Sequence, residues 1–157
     1  MGTTINWLEK LRMRHRFLRY RFRSERPSIL FLLGLDLGAC TVLDVGANRG
    51  IYSYYLSKKV GQTGRVISFE PIPKIAQYLM EVTEAFQLTN VTVVDQGLST
   101  SCGTARVGPG GDILDGAAAS NPQAVDAKLT TLDDYLEGAQ RPPIKFIKCD
   151  VEGYEYQ

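Results

Sequence analysis

A chain of 157 residues with 44% hydrophobic and 22% charged residues has the composition of a globular protein and the length of one domain. The formal net charge is +1, but the chain beyond its basic N-terminal part is mildly acidic, which fits a domain that binds a cationic or neutral small molecule better than one that grips nucleic acid along its whole face. Three cysteines without a Cys-x-x-Cys pair indicate neither a disulfide framework nor a zinc site, so a reduced, cytoplasmic compartment is expected. The apolar run at residues 28–35 is too short to span a membrane, which takes about 20 residues.

The positive charge is concentrated near the N-terminus. Residues 1–27 contain two acidic residues and eight basic ones: Lys10, Arg12, Arg14, Arg16, Arg19, Arg21, Arg23 and Arg26. Apolar residues recur there at helical spacing, with His15 in the same stripe: Leu8, Leu11, Leu18 and Phe22. The pattern predicts a basic amphipathic helix over residues 4–23 within an N-terminal unit of residues 1–27. Two interpretations remain open: a solvated helix that packs on the domain, or a surface in residues 4–26 that contacts anionic lipid or an acidic partner.

From residue 28 onward, short β-branched runs alternate with helical patterns. Strands are predicted at residues 41–45, 65–70, 91–95 and 144–150, and helices at 28–37, 51–60, 73–86 and shortly after Thr131. This alternation predicts an α/β fold with a doubly wound, mostly parallel sheet and helices on both faces. Residues 99–127 are rich in small and polar residues, so we expect a long loop with a short hairpin near residues 104–107.

Acidic residues lie at or near the carboxyl ends of four predicted strands, namely Asp44, Glu70, Asp95 and Asp150. In an open parallel sheet, ligands bind beyond these ends, where the strand order reverses. Four carboxylates there are hard to explain as core residues, because buried carboxylates are costly unless they are paired. Together they indicate a site for a ligand with hydroxyls and positive charge.

The turn after the first predicted strand reads Asp44-x-Gly46-x-Asn48-x-Gly50. Glycine and asparagine tolerate the positive φ that such a turn needs. Glu70 is placed to accept hydrogen bonds from a ribose, a feature that nicotinamide enzymes share. A pyrophosphate would be repelled by a carboxylate beside the loop, whereas a sulfonium would be favoured, so a nicotinamide enzyme is the weaker alternative.

Four sequence blocks occur in a fixed order: residues 42–50 (VLDVGANRG), 69–71 (FEP), 131–134 (TLDD) and 147–155 (IKCDVEGYE). In these blocks the chain resembles the FkbM family of S-adenosylmethionine-dependent methyltransferases. The resemblance implies cofactor contacts from Asp44, Gly46, Asn48 and Gly50, and ribose binding by Glu70. It places the adenine near Asp95 and Gln96, and it sets Asp150 and Glu152 facing the transferring methyl group and the acceptor.

The resemblance further implies O-methylation of a hydroxyl on a sugar or natural-product-like acceptor. Because His15 is the only histidine and lies in the basic leader, Asp150 or Glu152 is the expected proton acceptor. No metal site is predicted, since these two carboxylates lack an evident third ligand.

The methyltransferase domain, residues 28–157, is expected to be incomplete, because members of the family continue with further strands. The alternative hypothesis is therefore a non-catalytic fragment or interaction module that retains cofactor binding.

Overall fold

The central sheet consists of four parallel strands. The computed structural model describes residues 5–109, 111–114, 116–138 and 143–150. The strands are β1 (Thr41–Val45), β2 (Arg65–Phe69), β3 (Val91–Val94) and β7 (Ile144–Cys149), and their spatial order is β3-β2-β1-β7. The chain runs from β1 to β3 in one direction and places β7 on the other side of β1, so the order reverses beside β1. The doubly wound parallel sheet is confirmed, and the loop after β1 lies at the switch point where ligands bind.

Helices cover both faces of this sheet, as the sequence predicted. On one face, Val42 and Val66 belong to the same core cluster as residues of α3 (Ile51–Val60) and α4 (Pro73–Ala85). On the other face, Leu43 and Phe69 pack against α5 (Leu132–Gly138). Successive strand residues therefore serve opposite faces, and both faces are apolar, which is typical of a buried parallel strand.

The short helix α5 begins as predicted. Thr131 caps it, because its Oγ1 accepts a hydrogen bond of 3.0 Å from the backbone N–H of Asp134. Thr131 Oγ1 also donates to the Asp134 carboxylate at 2.6 Å.

The N-terminal helix packs on the domain through a different face from the one expected. Helix α1 (Trp7–Arg19) continues through a π-helical turn (Tyr20–Ser24) into α2 (Arg26–Gly34). Its buried residues are Met13 and Phe17, and Phe17 stacks on Tyr54 of α3 with ring centroids 4.0 Å apart. The expected stripe of Leu8, Leu11, Leu18 and Phe22 is exposed instead. The helix does pack on the domain, but Met13 and Phe17, rather than the residues of the predicted stripe, make the contact.

A second sheet replaces most of the long loop expected at residues 99–127. It comprises β4 (Gly97–Leu98), β5 (Gly103–Val107) and β6 (Val125–Thr130), in the order β4-β6-β5. Strands β5 and β6 are antiparallel, and a 3₁₀ turn (Gly116–Ser120) lies between them. The hairpin near residues 104–107 is thus one strand of a pair whose partner lies some twenty residues further on. Small residues hid this pairing, since Ala105 faces Ala127 across it.

In the part of the chain described, none of the helices is both long and apolar enough to cross a bilayer.

Candidate cofactor and acceptor site

The loop between β1 and α3 has the left-handed backbone that its sequence predicts. Positive φ angles occur at Gly46 (70°), Asn48 (48°) and Gly50 (80°). A Cβ on Gly50 would overlap the side chain of Leu79, so this glycine is needed for space as well as for conformation. The backbone N–H groups of Gly46 and Ala47 donate to the Phe69 carbonyl at 3.1 and 2.9 Å. The loop is therefore held close to the end of β2.

Glu70 follows β2 and is tied to this loop. Its side chain is buried, with Oε2 accepting from the Asn48 N–H at 2.8 Å and Oε1 accepting from the Ile72 N–H at 3.0 Å. Burial raises the pKa of this carboxyl, and the two backbone donors oppose that rise. Each carboxylate oxygen has two acceptor positions and uses one of them here. Glu70 can therefore orient the loop and still accept a hydrogen bond from a ligand hydroxyl on each oxygen.

Asp44, the acidic residue at the front of the loop, is fully buried at the end of β1. Its Oδ2 accepts a hydrogen bond of 2.6 Å from Ser53 Oγ, and its Oδ1 lies 3.3 Å from Lys148 Nζ without hydrogen-bond geometry. Lys148 thus supplies, within the protein, a positive charge beside Asp44, where the acidic residues of the sequence had indicated a positively charged ligand. Cofactor contact by Asp44 stays a prediction.

Lys148 is the site residue to which sequence reasoning gave no role. It is the register partner of Asp44 across β1 and β7, and its side chain is only 12% exposed. Its Nζ donates to the Gly46 carbonyl at 2.9 Å and lies 5.0 Å from the centre of the Tyr52 ring. The sequence does contain a lysine and an aspartate near the carboxyl ends of two predicted strands. That these two residues are neighbours can be recognised only when the strand order is known.

Asp150 is the second carboxylate near Lys148. Its N–H donates to the Val45 carbonyl at 3.1 Å, and its Oδ2 lies 3.8 Å from Lys148 Nζ. The side chain is 63% exposed and lines an open cavity of about 550 Å³ together with Tyr52 and Phe31. Burial raises the pKa of Tyr52, which keeps this phenol protonated. The cavity is large enough for a small-molecule acceptor.

Asp95 and Gln96 follow β3, with Asp95 exposed and Gln96 half-buried. Next to them, Gly97 and Pro71 line an apolar cavity of about 30 Å³ that Gly46 also borders. This volume corresponds to roughly one water molecule. Ile113, which is bridged to Val107 of β5, lines the same cavity. The adenine contact of Asp95 and Gln96 stays a prediction.

Residues 44–157 match the family model described as the methyltransferase FkbM domain. The chain belongs to the FkbM methyltransferase family. This confirms the resemblance seen in the four sequence blocks and makes the chain part of an S-adenosylmethionine-dependent methyltransferase family.

One solved structure agrees in fold, and a second is similar over a shorter range. The FkbM methyltransferase from Methylobacillus flagellatus KT is 23% identical with a TM-score of 0.54, over 88% of this chain and 31% of that one. A SAM-dependent methyltransferase from Aquifex aeolicus is 29% identical with a TM-score of 0.44, over 53% of this chain and 45% of that one. This chain thus spans less than half the length of either of these two structures. Among the curated proteins, none is significantly similar to it.

The fold brings together the predicted residues around the β1 loop. Gly46, Asn48, Gly50 and Glu70 form one hydrogen-bonded unit, and Asp150 is connected to it through Lys148. Glu152 lies outside the described residues. Within the described ranges, no group of three His, Cys, Asp or Glu side chains is arranged to hold a metal ion.

Proposed function

We propose that this FkbM domain holds S-adenosylmethionine against the loop at residues 46–50 and methylates a hydroxyl of a sugar or natural-product-like acceptor. The carrying observation is Glu70, a buried carboxylate fixed by two backbone N–H donors and retaining one acceptor position on each oxygen. Two adjacent hydroxyls of a ribose match this pair of acceptors. When bound, the cofactor supplies an electrophilic methyl group on a sulfonium.

The β1 loop explains how the protein orients this cofactor. Positive φ at Gly46 and Gly50 turns the backbone without a Cβ on either residue, which allows a ligand to approach closely. Lys148 Nζ donates to the Gly46 carbonyl, and the Gly46 N–H donates to the Phe69 carbonyl. A loop fixed in advance in this way contributes to catalysis mainly by positioning, an effect worth about 7–11 kcal/mol in well-oriented reactions.

We assign the acceptor to the cavity of about 550 Å³ beside Asp150. An acceptor hydroxyl there would lose its proton to an Asp150 carboxylate oxygen. Glu152 is the second candidate for this role. The odd number of cysteines supports a reduced, cytoplasmic compartment for this reaction.

Isothermal titration with S-adenosylmethionine tests the cofactor part of the proposal. We expect the chain to bind, and Glu70→Ala to weaken binding by about tenfold or more, because hydrogen bonds to a charged acceptor contribute ~1.5–3 kcal/mol each. The exposed Glu84→Ala on α4 is the matched control and should bind like the unaltered chain. Glu70→Gln keeps one acceptor oxygen, so its affinity for S-adenosylmethionine should lie between that of Glu70→Ala and that of the unaltered chain. Absence of binding by a folded chain would refute the proposal.

Non-catalytic cofactor binding is the second candidate function. It is favoured by the exposure of Asp150, whose side chain is 63% accessible to solvent. Incubation with S-adenosylmethionine and a panel of hydroxylated acceptors separates the two functions. S-adenosylhomocysteine that forms only with an acceptor, and that Asp150→Asn reduces, supports the transferase. Tight cofactor binding without any product supports the non-catalytic module.

A further inference from the structure

Helix α1 presents an apolar stripe to solvent. Its residues are exposed by 72% at Trp7, 47% at Leu8, 56% at Leu11, 55% at Leu18 and, in the π-helical turn, 61% at Phe22. At 3.6 residues per turn, Trp7, Leu11 and Leu18 fall within about 40° of one another around the helix axis. A contiguous exposed stripe of large apolar side chains marks a contact surface, whereas single exposed leucines do not.

The face of α1 that carries Met13 and Phe17 packs against the domain core. Met13 is 2% and Phe17 is 3% exposed, and the Phe17 carbonyl accepts a hydrogen bond of 2.8 Å from the Tyr55 hydroxyl. Because these contacts fix the rotation of the helix, the stripe cannot turn inward without opening the core. The outward orientation is therefore a property of the folded chain.

Basic side chains border the outward stripe on both sides. On one side, Arg14, Arg21 and Lys58 line an open cavity of about 720 Å³ that Leu11 and Leu18 also border. On the other side, a cavity of about 570 Å³ contains Arg12, Arg16, Arg49 and Lys74, with Glu9 as its only acidic residue. No ion pair is recorded for these cations within the described residues. Both margins of the stripe thus offer positive charge that is not paired with a carboxylate among the described residues.

Anionic phospholipid is the ligand that matches this arrangement. A helix in the plane of a bilayer interface buries its apolar face among acyl chains and extends lysine and arginine side chains sideways to the phosphates. A nucleic acid would use the cations but leave the leucine stripe in water, and an apolar protein groove would leave the cations unpaired. An anionic bilayer, with an apolar interior beneath its headgroups, uses both features.

We infer that α1 docks the domain on an anionic membrane surface, with the outward stripe in the headgroup region and phosphates in the two basic cavities. This role lies beyond methyl transfer and does not depend on it. Each basic side chain near an anionic bilayer contributes about fivefold to binding, and the stripe adds the apolar part.

The single tryptophan of the chain, Trp7, lies on the stripe and reports the contact directly. Mixed with vesicles of phosphatidylcholine and phosphatidylserine, the full chain should show a blue shift of Trp7 emission and should co-sediment. Vesicles of phosphatidylcholine alone should produce neither effect, and added salt should weaken binding. Failure of the chain to bind anionic vesicles, or equal binding to neutral ones, would overturn the inference.

Matched variants separate the two features of the surface. Leu11→Ser/Leu18→Ser should lower vesicle affinity ~10-fold or more, whereas Met80→Ser, at an exposed position on α4, should not. Arg14→Gln/Arg21→Gln should lower affinity by ~25-fold, whereas Lys128→Gln/Lys145→Gln, at exposed positions on strands, should change it little. Circular dichroism checks the fold of each variant. Unchanged vesicle affinity in both the Leu11→Ser/Leu18→Ser and the Arg14→Gln/Arg21→Gln variants would refute docking through α1.

Light scattering without vesicles provides a further check. If Leu11→Ser/Leu18→Ser converts an oligomer into a monomer, the stripe is a contact between copies of the chain and the membrane inference fails.

Discussion

At the scale of single residues, Glu70 gives the sharpest prediction, because ionisation of its carboxyl should affect folding stability and cofactor affinity in opposite directions. Burial raises its pKa above the ordinary value of 4.5. Between 4.5 and the raised pKa the folded chain binds more protons than the unfolded chain, so the contribution of Glu70 to stability falls as the pH rises through this window. Ribose hydroxyls, however, donate to the ionised carboxylate, so cofactor affinity should rise with pH over the same window.

Titration of S-adenosylmethionine at a series of pH values above 4.5 measures this effect. Glu70→Gln should bind more weakly and lose the dependence on Glu70 ionisation, while the exposed control Glu84→Gln should keep it. An identical pH slope in Glu70→Gln would show that another group controls binding.

At the scale of elements, the pair of Asp44 on β1 and Lys148 on β7 joins two strands about a hundred residues apart in sequence. Lys148→Met would leave the fully buried Asp44 carboxylate without its cation, which typically costs about 3–5 kcal/mol of unfolding free energy. Asp44→Asn/Lys148→Met should recover part of that loss, because no buried charge remains. Urea denaturation measures both. Lys145→Met, at an exposed position on the same strand, should stay within about 0.5 kcal/mol of the unaltered chain.

A loss for Lys148→Met as small as that for Lys145→Met would mean that the pair contributes little to stability.

The elements also show which features of the fold were readable from sequence. The β1 loop and Glu70 were predicted because their signals are local: glycine and asparagine at fixed spacing, and an acid directly after a β-branched run. The pair of β5 and β6 was missed because the facing residues at its centre, Ala105 and Ala127, are small and weak strand formers, although the residues of β6 alternate between apolar and polar. Lys148 was missed because its partner becomes visible only when the strand order is known.

At the scale of the whole molecule, two phenylalanines on the N-terminal segment have opposite environments. The segment has apolar residues on two sides, and helical spacing alone does not reveal which side faces the core. Phe17 is 3% exposed and stacks on Tyr54, whereas Phe22 is 61% exposed. Phe17→Ala should therefore lower the unfolding free energy by about 3–5 kcal/mol, as for other buried aromatic residues.

Phe22→Ala should change stability by less than about 0.5 kcal/mol but should weaken binding to anionic vesicles. Urea denaturation and vesicle sedimentation on the same two variants measure both properties. The reverse pattern would place the core face of α1 on the side of Phe22 and contradict the packing described here. The expected pattern would show that one helix serves the domain core with one face and keeps the other for a membrane, because its rotation is fixed by Phe17 against α3.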